Sequence, residues 1–268
     1  MRYWTKQDPP SLRVKPIPIQ VIVKLLKTAY QSPARDLRAI ADMACIGFFF
    51  LMRPGEHTFS STETPFHVEG VKIYQGSHVI NWRTATSAIF NSATSVSLTF
   101  TTQKNGVKGE IITHGRSGDD QACPVRAIIR RLQHHRIHNS PPDAPLCQYV
   151  ETNGRRRHVK SSHLTTALKM TVRLLLHFGD PLDIGPEEVS ARSLRAGGAT
   201  ALLCAGVDSD TIQLIGRWKS DAMIRYLHVS ASPTMHHYAN KMFAGGCWIF
   251  QRERPHEERD VQRTLCRG

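Results

Sequence analysis

The stretch Ser190-Ala-Arg-Ser-Leu-Arg-Ala-Gly-Gly-Ala-Thr-Ala-Leu-Leu-Cys-Ala-Gly206 decides how the rest of the chain is read. Its pattern predicts one helix, opened at Ser190 or Ala191 and closed by Gly206 as a left-handed C-terminal residue. Arg192, Arg195, Ala199, Leu202 and Leu203 recur at helical spacings, so two cations one turn apart share a face that grades into an apolar stripe. Gly197 and Gly198 fall inside this helix, where each costs about 1 kcal/mol relative to Ala. A glycine pair in that place points to something bulky passing close by, either another helix or a ligand backbone.

Downstream stands Ile215-Gly-Arg-Trp-Lys-Ser-Asp-Ala-Met-Ile-Arg-Tyr226. Asp208 is placed to cap a short helix from Asp210 to Ile215, which Gly216 ends, and Ser220 to cap a second one carrying Tyr226. One tyrosine thus follows a cationic helix, with Arg217 and Trp218 between them. A phenol beside several arginines suits attack on a phosphodiester, because the cations stabilise both the phenolate and the charged transition state.

Upstream, Pro16 and Pro18 introduce a helix with Ile19, Ile22, Val23 and Leu26 on one face. Leu37 to Met52 is apolar almost all round, yet too short and too interrupted by Arg38 and Asp42 to span a membrane, so it reads as a buried core helix. Pro54 stops it and leaves Arg53 of Arg53-Pro-Gly-Glu56 at the end of a rigid element, a suitable mount for a fixed cation. The period then changes. Val68–Tyr74 and Ser77–Trp82 predict a hairpin around Gln75-Gly76, and Val96–Thr102 pairs with Glu110–Thr113 across Asn105-Gly106. Lys104 and Lys108 flank that second turn, where a lysine can reach a DNA strand while anchored by the sheet; Lys104 is the preferred candidate.

Cys123-Pro-Val-Arg begins another amphipathic helix, and Asn153-Gly-Arg-Arg-Arg157 reads as a hairpin or loop whose charges are solvated or meet a DNA backbone. Ser161 or Ser162 caps a helix running to His177, with Leu164, Leu168, Val172 and Leu175 inward. Ser232 to Phe243 gives a last helix, read either as a partner-binding element or as part of the core.

A net charge of +13 and a pI near 9.8 favour a polyanionic partner, with nucleic acid ahead of an anionic membrane. The composition, 40% hydrophobic and 21% charged, is that of a globular domain and not of a disordered chain. Six cysteines lack any Cys-x-x-Cys pair, and Cys45 and Cys204 sit in apolar helical patterns, so a reducing compartment without disulfides is expected. His134, His135 and His138 are read as an exposed helix end and not as a metal site. No cofactor and no metal are expected.

The ordered motifs resemble the catalytic domain of the tyrosine recombinase (phage integrase) family. Arg53-x-x-Glu56 is similar to its first arginine box, the Lys104 hairpin to its lysine segment, and Arg192-Ser-Leu-Arg195 to its His-x-x-Arg box. Arg217 or Trp218 stands at the His/Trp box, and Tyr226 at the nucleophile. The resemblance covers roughly Pro16 to Phe243. It implies an α+β fold, mainly α: a helical bundle with a small antiparallel β-sheet. It divides the chain into 1–15, a linker or truncated N-terminal region; 16–243, the catalytic domain; and 244–268, a polar tail.

By position, the resemblance gives Arg53 and Arg195 the non-bridging oxygens of the scissile phosphate and Lys104 the protonation of the leaving 5′ oxygen. Tyr226 forms a 3′-phosphotyrosine link that conserves bond energy, so the chemistry requires neither metal nor nucleotide. The implied activity is DNA cleavage and rejoining in recombination or integration. The partners are double-stranded DNA and further copies of the chain, up to a tetramer, through the C-terminal helix, with no membrane. The setting is intracellular and DNA-associated, nuclear in a eukaryotic host. Two departures stand out. Arg192 occupies the histidine position and, unlike histidine, cannot act as a base. Only fifteen residues stand before Pro16, so a catalytic domain without the family's DNA-clamping domain, and with weaker phosphate contact, is expected. These favour, as the alternative, a non-enzymatic DNA-binding relic. A type IB topoisomerase is a close chemical variant. A basic RNA-binding protein fits less well, since the sequence shows no aromatic stacking set.

Overall fold

Helix α2, Arg35–Phe49, is the element around which the others assemble in the computed structural model, which describes residues 14–60, 65–100, 109–218 and 238–246. Every residue from Ala39 to Phe49 is buried, as expected for a helix apolar all round. It is packed by α1 (Ile19–Gln31), α5 (Pro124–Ile137), α6 (Ser161–His177) and α7 (Arg192–Cys204). Phe48, Phe49 and Phe50 are fully buried, each worth roughly 1.5–3 kcal/mol of transfer from water.

A carboxylate sits inside this apolar helix. Asp42 accepts from Tyr30 Oη of α1 and from Arg130 Nε of α5, both at 2.7 Å. Burial pushes the Asp42 carboxyl up, while Arg130 opposes that shift. The result ties three helices at one buried, fully partnered charge.

The helix ends earlier than the sequence suggests. Leu51 takes a left-handed φ of 47°, and Phe50–Met52 turn the chain before any proline is reached. Pro54 does not stop α2; it opens a separate short helix α3, Pro54–His57, with Arg53 at its N-cap. Proline fits the first helical position because its missing N–H would be unpaired there anyway.

The sheet runs β2-β1-β3-β4, all antiparallel, with β1 at Val71–Gln75, β2 at His78–Ile80, β3 at Ser95–Phe100 and β4 at Glu110–Gly115. Both expected hairpin pairs form, with Ile73 opposite Ile80 and Ser97 opposite Thr113. The β1–β3 pairing and the short helix α4, Ser87–Ser92, capped by Thr86, were not legible in the sequence. A second, two-stranded sheet pairs β5 (Gln148–Val150) with β6 (Arg156–His158). The fold is thus α+β and mainly helical, with a small antiparallel sheet.

The glycine pair of α7 has its explanation in packing. A Cβ on Gly197 would strike the Ile17 backbone, and one on Gly198 the Phe48 carbonyl and Leu51. Two backbones therefore press on adjacent positions of α7, and only glycine admits both. Helices α8 (Ser209–Gly216) and α9 (Tyr238–Ala244) follow. α9 buries Ala239 and Met242 and packs on α7 and β4, which makes its described part a core helix of the same chain.

Both ends of the expected domain extend further than the sequence marked. Lys15 donates its backbone N–H to the Glu188 carbonyl at 2.9 Å, and its Nζ pairs with the Glu188 carboxylate at 2.8 Å. Gly246 accepts from the Ile19 backbone at 2.8 Å. Three further expectations need correction. Leu203 is 59% exposed, because it falls to the side of the Arg195–Ala199–Leu202 line, and Cys204 is exposed beside it. His135 is fully buried against the Leu146 carbonyl instead of lying on an exposed helix end.

Among the described residues, no helix is long and apolar enough to cross a membrane.

Candidate active site

Two arginines from distant parts of the chain share one carboxylate, and a third lies close enough to feel their charges. Arg53 comes from the N-cap of α3, where Glu56 accepts from its backbone N–H at 2.7 Å and from its Nη1 at 2.9 Å. The i,i+3 spacing of a helical first turn makes this closure automatic once Pro54 starts the turn. The same carboxylate reaches across the fold: Arg217 Nη2 donates to Glu56 Oε2 at 2.9 Å.

Arg217, and not Gly216, is the left-handed residue that ends α8, with φ 56°. A non-glycine residue in that region costs about 1 kcal/mol, and here side-chain contacts offset it. The buried guanidinium donates from Nη1 to the carbonyls of Phe50 and Ile215 at 3.2 Å each and stands over the Phe100 ring at 3.7 Å. Gly216 is needed for a different reason: a Cβ there would overlap the Trp218 ring.

That ring is what Arg195 rests on. The Arg195 guanidinium lies 4.4 Å from the centroid of Trp218 and donates Nη2 to the Gly216 carbonyl at 2.5 Å. Its Nη1 is buried and has no hydrogen-bond partner among the described residues. Burial, followed by the nearby charges of Arg53 and Arg217, pushes Arg195 down to about 9, with Glu56 opposing. For Glu56, burial raises the carboxyl, but Arg217, the Arg53 backbone N–H and the Arg53 charge outweigh it and hold it below the usual range. Arg217 is lowered by burial and supported by Glu56 and Glu110. The site is therefore short of negative charge, and one buried cationic donor is left open.

Arg53, Arg195, Arg217 and Trp218 are thus brought together, the last two with different partners. Arg217 braces the carboxylate, and Trp218 carries Arg195. Arg192 opens α7 one turn before Arg195 and is exposed; its guanidinium has no hydrogen bond or ion pair among the described residues. The first turn of α7 holds no acidic residue, so this cation faces the positive end of the helix dipole unopposed. Lys104, Lys108 and Tyr226 lie outside the described residues. The strand ends that bracket the first two, Phe100 and Glu110, both bear on Arg217, by ring contact and by charge.

Two histidines beside the cluster went unnoticed in the sequence. His57 donates Nδ1–H to the Arg53 carbonyl at 2.8 Å, and burial drives its pKa down to about 4. His114 sits edge-on to Phe50 at 4.6 Å, and burial drives it to about 3. Both are neutral packing groups at ordinary pH. Among the described residues, no group of three or more His, Cys, Asp or Glu side chains is placed to hold a metal ion.

No family model matches the chain, and a search of curated proteins finds no similar sequence.

Proposed function

We propose that the chain is a tyrosine recombinase catalytic domain that cleaves and rejoins duplex DNA through a 3′-phosphotyrosine intermediate. The observation that carries this reading is the pairing of Arg53 and Arg217 on the single carboxylate of Glu56, with Arg195 near enough to feel all three charges and one Arg195 donor left open. A buried donor left without an acceptor costs about 1–3 kcal/mol, and a bound phosphate oxygen would remove that cost.

In this reading the phosphodiester sits between Arg195 and Arg53, whose charges stabilise the developing negative charge at phosphorus. Tyr226 loses its phenolic proton to water, the phenolate oxygen forms a bond to phosphorus, and the bond from phosphorus to the 5′ oxygen breaks. Lys104, or Lys108, gives the departing oxygen its proton. Arg192 adds a third cation to the same approach. Glu56 holds Arg53 and Arg217 in register and does not touch the substrate. In-line displacement asks mainly for positioning and positive charge, which this constellation supplies.

A second reading is favoured by one residue. Arg192 offers only donors where a histidine could serve as a base, so a DNA-binding relic with the same fold and no chemistry accounts equally for the cationic cluster. The two separate in one assay. The protein is incubated with a pooled library of nicked duplexes and run on a denaturing gel. A recombinase leaves a covalent DNA adduct that Arg195→Ala abolishes; a relic binds duplex DNA in a salt-sensitive manner and leaves none. Failure to bind duplex DNA at all would defeat both readings.

A further inference from the structure

A second basic surface lies on the β5–β6 hairpin and the start of α6. It is a cleft of about 470 Å³ walled by Phe59, Tyr149, Arg156, His158, Lys160 and His163, with the ion pair of Glu151 and Arg157 at 3.2 Å on its rim. Phe59 is held there by its backbone, which donates to the Val159 carbonyl at 2.8 Å, and by a parallel bridge to Lys160. Its ring stacks on His158 with centroids 4.6 Å apart and planes 20° from parallel, yet it remains 39% exposed. An aromatic ring left that open on a fixed backbone presents a flat face to whatever enters the cleft.

The charges around this ring pair are unbalanced. Glu151 is the one acidic residue in the lining, and it is already engaged by Arg157 and by Asn153 Nδ2. Arg156 and Lys160 are exposed, and Lys160 is the N-cap of α6, a 17-residue helix with no acidic residue in its first turn. The N-terminus of a long helix favours an anion, and here a lysine stands where an acid or hydroxyl would ordinarily cap. Burial and the Lys160 charge hold His158 below its usual value, which keeps its ring neutral against Phe59. Flat rings beside fixed cations match one ligand chemistry above others: an unpaired nucleotide, base on ring and phosphate on cation. A duplex, whose bases are stacked on each other, could use the cations and not the ring.

We propose that this cleft binds single-stranded DNA, with a base stacked on the Phe59–His158 pair and the adjoining phosphates held by Arg156, Lys160 and the N-terminus of α6. The proposal rests on the reading of the protein as DNA-acting. It adds a strand-holding site to the scissile-phosphate site, on the segment that follows Arg53 and α3. The rings come from separate parts of the chain, so the sequence alone showed no stacking set.

The test uses the full chain and three labelled probes of equal length: a thymidine strand, the same strand with abasic sugars, and a duplex. The wild-type protein should bind the thymidine strand about tenfold more tightly than the abasic one. Phe59→Ala should lower thymidine-strand affinity by about that factor and leave abasic-strand affinity unchanged. Arg156→Ala combined with Lys160→Ala should weaken both strands and reduce the salt slope by about 1.4, since single strands lose about 0.7 per phosphate contact. Equal binding of the thymidine and abasic strands, or no effect of Phe59→Ala, overturns the stacking site. Arg195→Ala serves as the separating control. It should abolish the duplex adduct and spare single-strand binding, so loss of the adduct-forming activity and loss of the cleft are read independently.

Discussion

Glu56 bridges two arginines that lie far apart in sequence: its Oε1 accepts from Arg53 and its Oε2 from Arg217, each at 2.9 Å. The Arg217 side chain is fully buried in this pair and that of Glu56 is 10% exposed, so neither charge has ready access to water as a substitute partner. This single carboxylate couples α3 to the end of α8 and thereby sets the spacing of the cationic cluster.

Removing that carboxylate should unfold more than it disables. Glu56→Ala leaves the Arg217 charge buried without its ion-pair partner, a change expected to cost about 3–5 kcal/mol. Glu56→Gln keeps a hydrogen-bond acceptor and should cost less. Urea denaturation of both variants checks this; a midpoint for Glu56→Ala within error of the wild type would mean that the bridge does not support the fold.

Gly216→Ala tests the seat of Arg195. The new methyl would overlap the Trp218 ring, so the indole must leave its place under the guanidinium. Overpacking of this kind costs about 1–3 kcal/mol. The variant should show lower stability, an altered tryptophan fluorescence spectrum and loss of any DNA adduct. An unchanged spectrum with full activity would show that the ring does not need its present position.

Stability should fall with acid. His57, His114 and His135 are buried and neutral, with pKa values pushed by desolvation to about 4, about 3 and about 3 from an ordinary 6.5. Between pH 6.5 and 4 the unfolded chain binds protons at these sites and the folded chain does not, so unfolding becomes easier as pH drops. Each contributes on the order of 3 kcal/mol of loss by the bottom of that window. Urea midpoints measured from pH 7.5 down to 4.5 should decline steadily, and His114→Phe should flatten the decline. A midpoint independent of pH across that range would contradict the buried, neutral assignment.

Arg192→Ala separates binding from folding. The residue is exposed and sits at the positive end of α7, so its loss should leave stability within about 0.5 kcal/mol or raise it slightly. Duplex affinity should fall, and the salt slope should shrink by about 1 if one phosphate contact is lost. Unchanged affinity would place Arg192 outside the DNA footprint.

Much of the fold was legible because its signals are local. The proline-led helix starts, the apolar run of α2, the inward leucines of α6 and the left-handed Gly206 all depend on neighbours within one or two turns. The glycine pair of α7 announced a close approach but could not say that the Ile17 and Phe48 backbones make it. The candidate site was legible as a set of residue types and not as a geometry. Arg53-x-x-Glu56 reads as a surface pair until Arg217 arrives from the far end of the chain. The end of α8 was misplaced by one residue, because glycine is the usual left-handed terminator and the carbonyls that hold Arg217 there belong in part to α2's exit. The cleft at Phe59 was invisible, since neither ring partner predicts the other.

The most direct measurement is the identity of the residue that becomes linked to DNA. The protein is trapped on a nicked duplex from the pooled library, digested, and the modified peptide sequenced by mass spectrometry, alongside Tyr226→Phe. The account predicts a phosphotyrosine at Tyr226 and no adduct in the variant, with duplex binding near normal. An adduct that persists in Tyr226→Phe, or that maps to another residue, would contradict it.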